Sequence, residues 1–146
     1  MQVDFYHLTS MPLERALPRI AERVLESGAR LLIVAGDQTQ QAAIDRFLWE
    51  YSADSFLPHA CAGAADENDQ PVLIALDVNA ANGARHVALV DGTWREDALD
   101  FQRAFHFFDE EHIVEARHAW RTLNERECVE RRYWKQNEAG RWEQAA

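Results

Sequence analysis

Short apolar runs alternate with stretches of helical periodicity along this chain. Val3-Asp4-Phe5-Tyr6-His7-Leu8 is aromatic and partly alternating, which predicts a strand. Thr9-Ser10 offers an N-cap, and Pro12 suits a first helical turn. Leu13, Leu17, Ile20, Ala21, Val24 and Leu25 recur at helical spacing, so residues 11–27 read as an amphipathic helix closed by Gly28. Pro18 inside it predicts a kink or a later start. The run Arg30-Leu31-Leu32-Ile33-Val34-Ala35, apolar after its first residue, reads as a strand covered on both faces. Gly36-Asp37 turns the chain, and Ala42 through Trp49 resumes a helical pattern.

Residues 50–71 are less regular and end in a polar stretch, Gly63 to Gln70, that reads as a surface loop. Val72–Leu76 and His86–Val90 are two further strands, separated by the turn signal Asn82-Gly83. Phe101 to Phe108 reads as a helix end plus a strand. Asp109-Glu110-Glu111 opens a last helix, about residues 109–126, with acidic residues at the positive end of its dipole. Residues 132–143 read as two short strands about Ala139-Gly140. Strand, helix, strand, helix is the signature of an α/β layer fold, with a right-handed crossover from the first strand to the second. One domain over residues 1–146 fits this length.

Charge changes the picture more than composition does. The formal net charge is −10, which argues against direct nucleic-acid binding, because phosphate neutralisation needs clustered Lys and Arg. Residues 1–100 hold 7 basic residues against 16 acidic, whereas residues 101–146 hold 8 against 9, so the C-terminal part is nearly neutral on an acidic body. Of the 15 basic residues only Lys135 is lysine. Arginine suits carboxylate recognition, since its planar fork bonds both oxygens at once. Cys61 and Cys128 form no CxxC and no disulfide framework, and no apolar run reaches a membrane span. With no basic n-region or apolar h-region at the start, the expectation is a soluble cytoplasmic protein.

Candidate chemistry is sparse. Leu32 to Asp37 leads into a helix whose N-terminus could hold phosphate, but GxGxxG and GxxxxGK[ST] are both missing. A small nucleotide-binding α/β enzyme is therefore an alternative rather than the main reading. His106, His112 and His118 are six apart, which puts them on different helix faces, so no metal or cofactor is expected. The tryptophans are more informative. Trp120, Trp134 and Trp142 are interleaved with Arg117, Arg121, Arg131, Arg132 and Arg141. Arg117, Trp120 and Arg121 stand at i, i+3 and i+4 and share one helix face. Two guanidinium groups flanking an indole suit an acidic peptide with an aromatic end. A solvated arginine face with Trp120 turned to the core is the competing reading of the same residues.

Leu48-Trp49, Ser55-Phe56-Leu57-Pro58-His59, Ala62-Gly63 and the helix segment Ala116-Arg117-His118-Ala119-Trp120-Arg121 together resemble the chi-subunit family of bacterial DNA polymerase III. The likeness spans nearly the whole chain. It implies a single three-layer α/β/α domain with a mostly parallel central sheet, Rossmann-like without a phosphate loop, and no active site of its own. It also implies a bridge between the clamp loader and single-stranded DNA-binding protein, made by gripping that protein's acidic C-terminal tail. Arg117 and Arg121 would bond the tail's carboxylates, and Trp120 would wall the pocket for its terminal Phe. Trp49, Phe56 and Pro58 would form the face for a psi subunit or a helicase-type partner; an adaptor acting only through Trp49 and Phe56 is the second alternative. Ile113 stands where the family often has a lysine, with Arg126 or Arg132 as possible replacements, and Glu125-Arg126-Glu127 replaces a glycine-containing turn.

Overall fold

The computed structural model describes residues 1–51 and 57–146. β1 (Gln2–His7) leads to α1 (Leu13–Glu26), then β2 (Leu31–Val34) and α2 (Gln38–Glu50). β3 (His59–Cys61), β4 (Val72–Ala75), β5 (His86–Leu89) and β6 (Arg103–Phe108) follow. α3 (Ile113–Leu123), preceded by a 3-10 turn over Glu110–His112, ends in β7 (Glu130–Gln136) and β8 (Trp142–Gln144).

The strands form one eight-stranded sheet in the order β3-β4-β2-β5-β6-β1-β7-β8. Every pairing is parallel except β7 with β8. β2 runs between β4 and β5 and is buried along its whole length, as its unbroken apolar run requires. Side chains alternate across the sheet. Tyr6, Ile33, Ile74 and Phe105 join α1 and α2 on one face. Val3, Phe5, Val34, Leu89 and Phe108 join α3 on the other. The architecture is the expected three-layer α/β/α sandwich around a mostly parallel sheet.

Several local expectations change. The Thr9 and Ser10 side chains do not cap α1. Pro12 occupies the N-cap position, and the Thr9–Met11 corner is instead gathered by Gln136 of β7, whose Oε1 accepts from Met11 N at 2.9 Å and from Thr9 Oγ1 at 3.1 Å. α1 passes through Pro18 without a break in its span, with the ring buried. Its end follows the expectation: Gly28, at φ +82°, donates to Leu25 O while Ala29 N donates to Val24 O, a Schellman closure. β3 was not legible in the irregular stretch, because three residues carry too little pattern. Phe101–Phe108 holds no α-helix end. A 3-10 turn over Glu96–Asp100 precedes the strand. The last helix stops at Leu123, so Arg126 lies beyond it.

Candidate functional site

The carboxyl ends of β2 and β5 form the switch point of this sheet, since the chain leaves β2 toward one edge and β5 toward the other. Rossmann-like folds bind ligands in that crevice. Here a cavity of about 440 Å³ is lined by Asp37, Asp91 and Asp109, and by no Lys or Arg among the described residues. The Asp37 side chain already accepts from Gln40 N at 2.8 Å. The Gln40 amide spans the gap, accepting from Gly36 N at 2.8 Å and donating to Val90 O at 2.9 Å. A phosphate would meet carboxylates and a capped helix, so the geometry does not favour the nucleotide-site alternative.

The three spaced histidines are dispersed. His106 is fully buried in β6, and His118 is exposed on α3. His112 Nδ1 lies 2.8 Å from Asp109 Oδ1, a bond that raises the His112 pKa. Asp109, Glu111 and His112 bring ligand-type atoms within 4.8 Å of one another at the surface, but such exposed acidic groups are common without an ion.

α3 is positioned by Ala116, Ala119 and Leu123, which are buried against the sheet. This sets Arg117 and Arg121 in solvent and leaves Trp120 half-buried. The Trp120 ring meets Phe5 edge-on at 5.3 Å and Tyr133 at 5.7 Å. The Arg131 guanidinium lies 4.1 Å from the ring centre. Arg131 also donates from Nη1 to Trp120 O at 2.6 Å and from Nη2 to Asn124 Oδ1 at 2.7 Å, so it covers the indole and satisfies the helix end together. Trp120 therefore packs one side on the core and lines a surface cavity with another.

That cavity, about 400 Å³, lies between α3 and β7 and is lined by Arg117, Trp120, Ile113, Tyr133 and Lys135, with His7 and Glu110 at the carboxyl edge of the sheet. Burial raises the pKa of the Tyr133 phenol, and the nearby Arg117 charge opposes that rise. Arg121 does not line it. It borders a second groove of about 580 Å³ on the other flank of α3, with Trp94, Val114 and His118. The helical spacing of four residues thus straddles two surface hollows, and Arg117 with Trp120 belongs to one of them.

The two residues named as replacements for a cation at position 113 are elsewhere. Arg126 Nη2 is 3.1 Å from Glu96 Oε2. Arg132 shares the β7 face of Trp134, whose indole donates to Asp4 Oδ1 at 3.1 Å under α1. Sequence reasoning missed Tyr133 and Lys135, whose strand alternation was the available signal. On the far side, Trp49 is 57% exposed with its ring 4.7 Å from His59, and Pro58 is half-buried beside it. His59 Nε2 lies 3.0 Å from Asp45 Oδ1, and Nδ1 lies 2.6 Å from Leu57 O. Phe56 lies outside the described residues.

Fold and site together define an α/β protein of Rossmann-like layering whose switch point carries no phosphate cradle and whose aromatic, cation-bearing hollow lies beside its last helix. A family model described as DNA polymerase III chi subunit, HolC, matches residues 1–130. The chain is 32% identical over 93 residues to DNA polymerase III subunit chi of Escherichia coli (strain K12), covering 64% of this chain and 61% of that protein. It is 27% identical over 95 residues to the subunit of the same name from Pseudomonas aeruginosa, covering 63% of this chain and 64% of that protein. A probable DNA polymerase III subunit chi of Rickettsia prowazekii (strain Madrid E) is 26% identical over 92 residues, covering 63% of this chain and 56% of that protein. The matches span about three fifths of the length of these curated relatives. The chain belongs to the DNA polymerase III chi subunit family. No helix among the described residues is long and apolar enough to cross a membrane.

Proposed function

We propose that this chain is a non-catalytic replication accessory subunit in the cytoplasm, linking the DNA polymerase III clamp loader to single-stranded DNA-binding protein by gripping that protein's acidic C-terminal tail. Family membership supplies the setting. One observation carries the site: the Arg117 side chain makes no hydrogen bond or ion pair with the described residues and stands at a hollow walled by Trp120 and Tyr133. The guanidinium takes a tail carboxylate, and the wall takes the apolar or aromatic end. Trp49 and Pro58, with Phe56 of the same segment, form the face for a psi subunit or helicase-type partner.

A molecule of charge −10 repels an acidic peptide at long range, but that field is screened beyond about 10 Å at about 0.1 M salt. Binding rests on the local contacts and is micromolar, about −8 kcal/mol, weakening as salt is added. The test is fluorescence anisotropy with a labelled acidic peptide ending in Phe. Arg117→Ala with Arg121→Ala weakens binding strongly while the circular dichroism spectrum is unchanged, and Arg117→Ala alone accounts for most of the loss. Equal binding of a peptide lacking the Phe would remove the aromatic pocket from this account. Trp49→Ala abolishes pull-down of clamp-loader or helicase partners and leaves peptide affinity intact.

A further inference from the structure

The hollow beside α3 holds a second cation that the helix does not supply. We infer that Lys135 of β7 is the second carboxylate-binding residue of this site, acting with Arg117; the inference rests on the reading of the hollow as a peptide site.

Four observations support it. Lys135 and Arg117 line the same hollow. Both are exposed, and neither side chain makes a hydrogen bond or ion pair with the described residues; the same is true of Arg121 and Arg132, whereas Arg126 is engaged by Glu96 and Arg131 by Trp120 O and Asn124. The acidic residue directly across from Lys135 is Glu143, but its Oε1 accepts from Asn137 Nδ2 at 2.9 Å. The other carboxylate at the hollow, Glu110, has its Oε1 2.9 Å from His7 Nε2. Two cationic side chains therefore stand at this hollow with one acidic side chain, Glu110, and with Ala146, on a molecule that is acidic overall.

The backbone under Lys135 is also well held. β7 is paired to β1 on one edge and to β8 on the other. Lys135 follows Tyr133 by two residues, so both side chains leave the same face of the strand, roughly 7 Å apart. An aromatic end resting on Trp120 and Tyr133 would place carboxylates within reach of both Arg117 and Lys135. The two cations differ in kind. Arg117 offers a bidentate fork and Lys135 a compact ammonium with three donors. The ligand that fits carries two carboxylates near one apolar group, as the last residues of an acidic peptide do. Either the α-carboxylate or a side-chain carboxylate can meet the ammonium, since the chemistry is shared. Lys135 lies in the C-terminal strands, beyond residues 1–130 that the family model matches.

Lys135 is the only lysine in the sequence, which makes the test direct. Reductive dimethylation with 13C-formaldehyde labels this one side chain besides the N-terminus and keeps its charge. Titration with the acidic peptide ending in Phe shifts the dimethyl-lysine resonance. In anisotropy, Lys135→Met weakens binding about three- to fivefold, and Lys135→Arg restores it. A C-terminally amidated peptide separates the two sources: loss of the Lys135→Met effect identifies the α-carboxylate, and its persistence identifies a side-chain carboxylate. Unchanged affinity in Lys135→Met, with Arg117→Met still weakened, overturns the role of Lys135 and leaves the peptide site standing. No effect of Arg117→Met or Trp120→Ala overturns the peptide site itself, and the Lys135 role with it.

Discussion

His106 provides a quantitative test of how this core is built. Its ring is fully buried in β6, edge-on to Phe5 at 5.3 Å and to Trp94 at 5.7 Å. Neither ring nitrogen has a hydrogen-bond partner among the described residues. Burial pushes its pKa down to about 4; the Asp91 charge pulls upward, and Arg95 and His112 push further down. The fold accepts the neutral imidazole, whereas the unfolded chain takes up a proton near its ordinary pKa of about 6.5. Stability is therefore intact above about pH 6.5 and is lost as the pH falls toward about 4. Between about pH 7 and about pH 4.5 this one group accounts for about 2 kcal/mol of lost stability. Urea unfolding of the wild type and of His106→Leu at those two pH values measures it. Acid-sensitive groups that do not act on His106, such as Asp109, largely cancel in the difference. The variant is expected to gain about 1–2 kcal/mol at neutral pH, because it removes unsatisfied buried nitrogens. It should then lose about 2 kcal/mol less than the wild type on acidification. Equal losses in the two proteins would show that His106 is not held neutral by burial.

Three further perturbations probe the frame of the site. Gly92 has φ +80°, and a Cβ there would sit 2.5 Å from His112 Cγ, so Gly92→Ala costs about 2–3 kcal/mol, read as a lowered Tm. Arg131→Met uncovers Trp120 and releases the end of α3, lowering stability by about 1–2 kcal/mol and weakening peptide binding in anisotropy; unchanged affinity would mean that Trp120 needs no support from Arg131. Asp4 is fully buried with Arg103 Nε 2.7 Å from its Oδ2, so Arg103→Met leaves its carboxylate with the Gln2 and Trp134 donors but no cation and costs about 2–4 kcal/mol in chemical denaturation. Adding Asp4→Asn to that variant recovers part of the loss, and no recovery would place the cost in lost packing rather than in charge.

The alternation of patterns along the chain was enough to place most elements, because each reports its own surroundings. The unbroken Leu31–Ala35 run states that both sheet faces are covered, and β2 is the strand between β4 and β5. Gly28 announced the end of α1, since few residues other than glycine adopt φ +82° without strain. The family likeness was legible for the same reason, in contiguous segments such as Leu48-Trp49 and Ala116–Arg121. Features that depend on distant partners were not legible. Gln136 gathers the Thr9–Met11 corner from about 125 residues away, and no local signal records it.

The site divides along the same line. Helical spacing alone put Arg117, Trp120 and Arg121 on one face, and that spacing holds in α3. Which hollow each side chain borders depends on what the sheet and loops bring alongside. β7 brings Tyr133 and Lys135 to Arg117 and Trp120, while the Trp94 loop brings a separate groove to Arg121. Likewise the sequence names Arg126 and Arg132 as cations without saying which are engaged, and the structure turns one to Glu96 and the other to the α1 face. Periodicity fixes the direction of a side chain relative to its own element. The order and register of the strands are set by burial across the whole sheet, and only they decide which charges share a cavity.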